Sequence, residues 1–184
     1  MDEEITIINE KTRNERIKKF LIDKKIFLLS IISSLVIIVF AYYSYQKYKD
    51  NLRETISDKY NNAIIEFNTG DKSKIVSSMK EIVEDEDTTY SPLALYFLID
   101  NNLVQDKDET NNLFDVLITK TSLEEEIKNL IIYKKALFNA DISDESQLLS
   151  ILNPLINSKS IWKSHALYLL AEYFYSKNEK QKSK

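Results

Sequence analysis

Residues Ile26–Tyr45 run IFLLSIISSLVIIVFAYYSY, twenty positions without a charge, a proline or a glycine. At the helical rise of about 1.5 Å per residue such a stretch makes a rod of roughly 30 Å, the thickness of a bilayer's hydrocarbon core. Twelve of the twenty are Ile, Leu, Val or Phe, and together they supply on the order of −4 to −7 kcal/mol of insertion free energy. The four serines do not cancel this, because a serine hydroxyl can bond back to a carbonyl of its own helix. Tyr42, Tyr43 and Tyr45 crowd one end, and Lys24, Lys25, Lys47 and Lys49 bracket both, as expected of headgroup-layer anchors. The stretch reads as one transmembrane helix. It is too long for a signal-peptide core and lacks the small residues of a cleavage site.

Lys11, Arg13, Arg16, Lys18, Lys19, Lys24 and Lys25 precede the span, and Lys47, Lys49, Arg53 and Lys59 follow it. This excess of basic residues before the span predicts a cytoplasmic N-terminus. Three segments are therefore expected: a cytoplasmic tail over 1–25, the span over 26–45 and an extracytoplasmic domain over 46–184. That domain carries 18 Lys/Arg against 23 Asp/Glu, a balance that argues against nucleic acid as a partner. Cysteine is absent, which excludes a disulfide framework and a thiolate metal site. One glycine and two prolines in the whole chain leave almost no turn chemistry for hairpins or sandwiches. The expected class is all-α.

Apolar spacing marks the helices. In the tail, Ile17, Phe20 and Leu21 stand at i, i+3 and i+4. Ile56, Tyr60, Ala63, Ile64 and Phe67 define a first helix after the span, ending at Asn68-Thr69-Gly70, with Gly70 expected at positive φ. A second helix from Asp71 holds Ile75, Val76, Met79, Ile82 and Val83, and the acids Glu84–Asp87 belong to the next turn. Ser91 is expected to cap a third helix with Pro92 in its first turn. Leu113–Ile118 mark a fourth, and Ser122 and Glu125 read as a capping box opening a fifth through Ile127, Leu130, Ile131, Leu137 and Phe138. Asp144 caps a sixth, which Pro154 should kink or end. A seventh is expected from Ser160 through Phe174, before the charged tail Lys177–Lys184.

The turns within successive helix pairs fall near Gly70, Val104 or Gln105, Asp141 and Asn178, intervals near the roughly 34 residues of tetratricopeptide repeats. The expected architecture is thus a tetratricopeptide-like helical-hairpin array, an α-solenoid, behind one N-terminal anchor. The anchor Ile26–Tyr45, Gly70-Asp71, the Ser-Pro-Leu-Ala-Leu run from Ser91 and Ala166-Leu-Tyr-Leu-Leu-Ala171 together make the chain resemble the bacterial ancillary SecYEG translocon subunit family. The resemblance implies an inner-membrane protein whose periplasmic face contacts the translocon, chaperones and exported chains.

No catalytic constellation is visible, and neither an enzymatic activity, a cofactor, a metal nor a small-molecule substrate is expected. His165 is a lone histidine without an orienting partner. The acids Glu84–Asp87 lack the alternating ligands and the glycine of a calcium loop. The candidates are surface aromatics: Tyr168 and Tyr175, two turns apart on one helix face, for a peptide groove, and Trp162, Tyr173 and Phe174 for a partner at the end of the array. Because the last unit stops at Lys184 before a second helix, these rings are expected to be left uncovered. A tethered assembly protein for cell-envelope or division machinery would use the same architecture, and the residues do not separate that role from protein export.

Overall fold

The protein was analysed as a computed structural model, which describes residues 15–68, 70–179 and 181. Residues 1–14 of the expected tail, Thr69, Lys180 and residues 182–184 of the charged end lie outside them. The described residues are all-helical: after a helical stretch over residues 15–23 and a turn at Lys24 come α1 (Lys25–Glu66), α2 (Lys72–Glu84), α3 (Tyr90–Asp100), α4 (Lys107–Thr119), α5 (Glu125–Asn139), α6 (Glu145–Ile156) and α7 (Lys163–Ser176). The chain divides into two compact units, Met1–Leu52 and Arg53–Lys184.

In the first unit, α1 carries the apolar stretch, and none of residues 26–45 is buried by the protein. It is the one helix among the described residues long and apolar enough to cross a membrane. Ser30 Oγ donates to the Phe27 carbonyl at 2.8 Å, which satisfies its hydroxyl within the helix. Lys49 lies over the Tyr45 ring at 5.9 Å.

The second unit contains two apolar cores. Ile56 and Ala63 of α1 join Ile75, Met79, Ile82 and Val83 of α2, Ala94, Leu95 and Leu98 of α3, Leu113, Phe114 and Leu117 of α4, and Ile131 of α5 in the first. Ile132 and Ala136 of α5, Leu148, Leu152 and Leu155 of α6, and Ala166, Leu169, Leu170, Tyr173 and Phe174 of α7 make the second. Each large side chain so buried is worth about 1.5–3 kcal/mol. Consecutive helices from α2 onward pack on one another, and α2 also meets α4, as α5 meets α7. Ring pairs tie the entry to the first core: Phe67 and Phe97 meet edge-on at 5.0 Å, and Tyr60 tilts against Tyr90 at 5.7 Å. Lys59 adds a 2.6 Å bridge to Glu81.

The helix ends depart from expectation at four places. Gly70 does lie in the turn between α1 and α2, but positive φ occurs at Glu86, Asn102 and Asn178 and not at a glycine. The reason for glycine is space: its N–H donates to the Glu66 carbonyl at 2.6 Å, and a Cβ there would meet that same oxygen at 2.8 Å. Asn102 and Asn178 supply the left-handed residue instead. In each case the following residue (Leu103, Glu179) donates to a carbonyl five residues back, and the asparagine donates to one three residues back. This double closure satisfies the last carbonyls of α3 and α7.

Ser91 is not the cap of α3. It is buried inside the first turn and donates to the Ile82 carbonyl at 2.6 Å, while Asp87 Oδ1 accepts from Thr89 N and Tyr90 N. Ser122 does not cap α5, which begins at Glu125 without a side-chain cap. Along α5 the buried face also differs, since Ile127 and Leu137 are exposed and Ile132 and Ala136 are buried. Small Ala136 lets α5 sit close to its neighbours, so it outranks the larger Leu137. Ser160 likewise precedes α7 by three residues, buried and hydrogen-bonded to Glu126 at 2.7 Å. Asp144 is the cap that spacing indicated, completing a reciprocal box with Gln147. Pro154 sits in the last turn of α6, which ends two residues later at Ile156.

Candidate functional site

The five aromatic candidates divide into three groups. Tyr173 and Phe174 are 8% and 7% exposed, packed into the second core, and Tyr173 Oη donates to the Ser143 carbonyl at 3.2 Å. The uncovered strip expected at these rings does not exist: α7 turns its Leu169, Leu170, Tyr173 and Phe174 face onto α5 and α6, which suffice to cover it. Trp162 is half-buried and stacks on Tyr133 at 5.8 Å with 22° between planes. The His165 ring lies 5.2 Å from the Trp162 ring, so the histidine closes an aromatic cluster. Tyr168 and Tyr175, by contrast, are 63% and 65% exposed. A hydrogen bond to Glu172, with the negative charge of that carboxylate, raises the Tyr168 phenol above its ordinary value. With Ala171 and Glu172 at the intervening turn, the two tyrosines form one stripe of α7.

A second feature is a groove of about 660 Å³ between the first turns of α4 and α6, over the last turn of α5. Both α4 and α6 pack on α5, and the space left between them is the groove. Its floor is an amide pair. Asn111 Nδ2 donates to Asn139 Oδ1 at 3.1 Å and Asn139 Nδ2 donates to Asn111 Oδ1 at 2.7 Å, with a further bond from Asn139 Nδ2 to the Lys135 carbonyl. Asn139 thereby spends both N–H groups, whereas Asn111 retains one to offer. Ser143, Ser146 and Gln147 continue the polar wall. Lys135 is held at 2.7 Å by Asp115.

The groove's chemistry is mixed: the neutral amides and hydroxyls of its floor and wall stand beside the charged Lys107, Asp108 and Lys135 and the apolar Ile142 and Ile151. Two helices start at its rim, and their N-termini would attract an anion if open. They are closed: Asp106 accepts from Asp108 N and Glu109 N, and Asp144 from Gln147 N. Sequence spacing had not marked these residues, because Asn111 and Asn139 lie in different helix pairs and each alone reads as a solvated polar position. The signal that could have found them is the paired interval: Asn111 and Asn139 stand four residues after Lys107 and Lys135 respectively, one helical turn on the same face. Among the described residues there is no cluster of three or more His, Asp or Glu that could hold a metal ion.

Compared with known proteins, the chain matches no family model, no curated protein and no solved structure.

Proposed function

We propose that the protein is a membrane-anchored, non-enzymatic binding scaffold whose Asn111–Asn139 groove takes an extended segment of another polypeptide. The observation that carries this reading is the amide pair and the hydroxyls that line the groove's floor and wall, chemistry that pairs with a peptide main chain, with Ile142 and Ile151 beside them as apolar contacts for its side chains. A bare main chain offers one donor and one acceptor per residue and no fixed charge. In this reading α1 threads the bilayer with residues 1–25 in the cytoplasm, and the helices beyond Tyr45 form a tetratricopeptide-like array on the periplasmic side. Turns at 70–71, 101–106 and 140–144 support the array, as does the packing of α2 on α4 and α5 on α7. The role in protein export, beside the translocon and its exported chains or chaperones, rests on the combination of basic tail, anchor and helical hairpins. The exposed stripe of Tyr168 and Tyr175 offers a second contact for the same partner.

The test is photo-crosslinking in intact membranes from Ser146, in the groove, and from Tyr168, each replaced by a photoreactive residue. Adducts with translocon subunits, exported chains or chaperones are expected. Adducts confined to envelope or division proteins would replace the export role by the tethered-assembly one. Absence of polypeptide adducts from Ser146, with adducts still formed at Tyr168, would remove the groove as the binding site.

A further inference from the structure

Residues 15–23 form a helix ahead of the span, and three of their large side chains are unaccompanied: Ile17, Phe20 and Leu21 are 50%, 56% and 50% exposed. At 100° per residue they fall within an arc of about 100°, one continuous apolar face. Arg16 and Lys18 border that arc on its two sides, with Asp23 beside Arg16, and Glu15 and Lys19 lie opposite, with Ile22 the apolar residue outside the arc. A helix of this length has little stability of its own in water. It needs a surface for its apolar face. The bilayer's hydrocarbon core cannot supply it by extending the span, because Lys24 and Lys25 end the uncharged stretch just beyond. The apolar medium within reach is the headgroup layer.

We propose that residues 15–25 bind the surface of anionic phospholipid membranes as an interfacial helix, with Ile17, Phe20 and Leu21 in the acyl boundary. Arg16, Lys18, Lys24 and Lys25 face the lipid phosphates. Two observations choose lipid over a protein partner. The segment is continuous with the span, so a bilayer surface is held beside it at all times. Its basic side chains outnumber its acidic ones by five to two, and those bordering the apolar arc are long enough to reach upward from it while their stems lie on lipid. The inference rests on reading Ile26–Tyr45 as a membrane span, and its test separates the two.

The chain has no cysteine, so a single one introduced at position 17, 19, 20 or 36 carries an environment-sensitive fluorophore without ambiguity. The full chain is reconstituted into vesicles of phosphatidylcholine, with or without phosphatidylglycerol. With phosphatidylglycerol, labels at 17 and 20 should shift to the blue and escape an aqueous quencher, while a label at 19 stays quenchable. Without it the shift at 17 and 20 should shrink, by about fivefold in partitioning for each basic residue whose attraction is lost. The combined variant Arg16→Glu, Lys18→Glu should lose the shift on anionic vesicles. Labels at 17 and 20 as quenchable as at 19 on anionic vesicles, with the label at 36 protected, would overturn the interfacial helix and leave the span intact. Protection at 17 and 20 that is indifferent to phosphatidylglycerol would overturn the role of lipid charge. A quenchable label at 36 would overturn the span, and the inference with it.

Discussion

Two stretches of this chain are strongly apolar, and the protein covers only one of them. Ile26–Tyr45 is twenty residues long and nothing in the protein covers it. Leu93–Ile99 reads LALYFLI, yet Ala94, Leu95 and Leu98 within it are wholly buried and Tyr96, Phe97 and Ile99 half-buried. Hydrophobicity alone does not separate them. Length and flanks do: α3 is 11 residues, about 16 Å, half a bilayer's hydrocarbon core. Asp87, in the turn before it, and Asp100, at its end, place charge near both ends. A short apolar rod can be wrapped by α2 and α4, whereas a rod of roughly 30 Å with no facing helix calls for lipid.

The contrast predicts that equivalent substitutions will act on different observables. Leu98→Ala should destabilise the helical unit by about 2–5 kcal/mol, because a cavity remains at a site with no exposure. Leu35→Ala in the span should leave the same denaturant midpoint in place, and a matching loss there would mean that the span is packed against protein. Ile37→Lys should cost about 3 kcal/mol of insertion free energy. It is read as increased extraction of the chain from membranes by alkaline carbonate, with the unfolding of the helical unit unchanged.

A smaller effect marks how deeply α3 is enclosed. Burial pushes the Tyr96 phenol up to about 12. The folded state holds that proton more tightly than the unfolded chain, whose phenols titrate near 10. The contribution to stability is therefore complete below pH 10 and is lost as pH rises toward 12. Tyrosinate absorbance should show a late-titrating group that disappears in Tyr96→Phe, and an unchanged titration curve would place the ring in water. The smallest change concerns the turn leading into α3. Glu86 has φ of 56°, a conformation glycine adopts at no steric cost, so Glu86→Gly should raise stability by about 0.5–1 kcal/mol in thermal or urea melts.

The sequence exposed the helices and the span more readily than the surfaces between them. Periodicity finds apolar faces because each helix repeats its own pattern, and every helix expected after the span is present. Caps were less legible. Ser91 and Ser122 have the right chemistry at plausible spacing, but Ser91 is buried and donates to the Ile82 carbonyl of another helix, an outcome that local spacing does not encode. Asp144 was legible because both halves of its box lie within four residues. The rings at the end of the chain misled for a related reason. Counting Tyr173 and Phe174 as surplus assumes how much area α5 and α6 can cover, and that depends on small residues such as Ala136 and Ala166 that allow close approach. The groove was invisible because its floor joins Asn111 to Asn139 across two helix pairs.

Adjacent residues Ile131 and Ile132 on α5 point into different cores. Neighbours on a helix are 100° apart, so α5 presents one flank to the first core, where it packs on α4, and another to α6 and α7. The two cores therefore share a wall instead of meeting at a seam. Opening either side strips one flank of α5 and weakens the support of the other, which makes the unit cooperative in place of separable. Amide protons of α5 can then reach solvent mainly through global unfolding. A peptide bound over the Asn139 end of this helix would stiffen both halves at once, without contact with most of the residues it steadies.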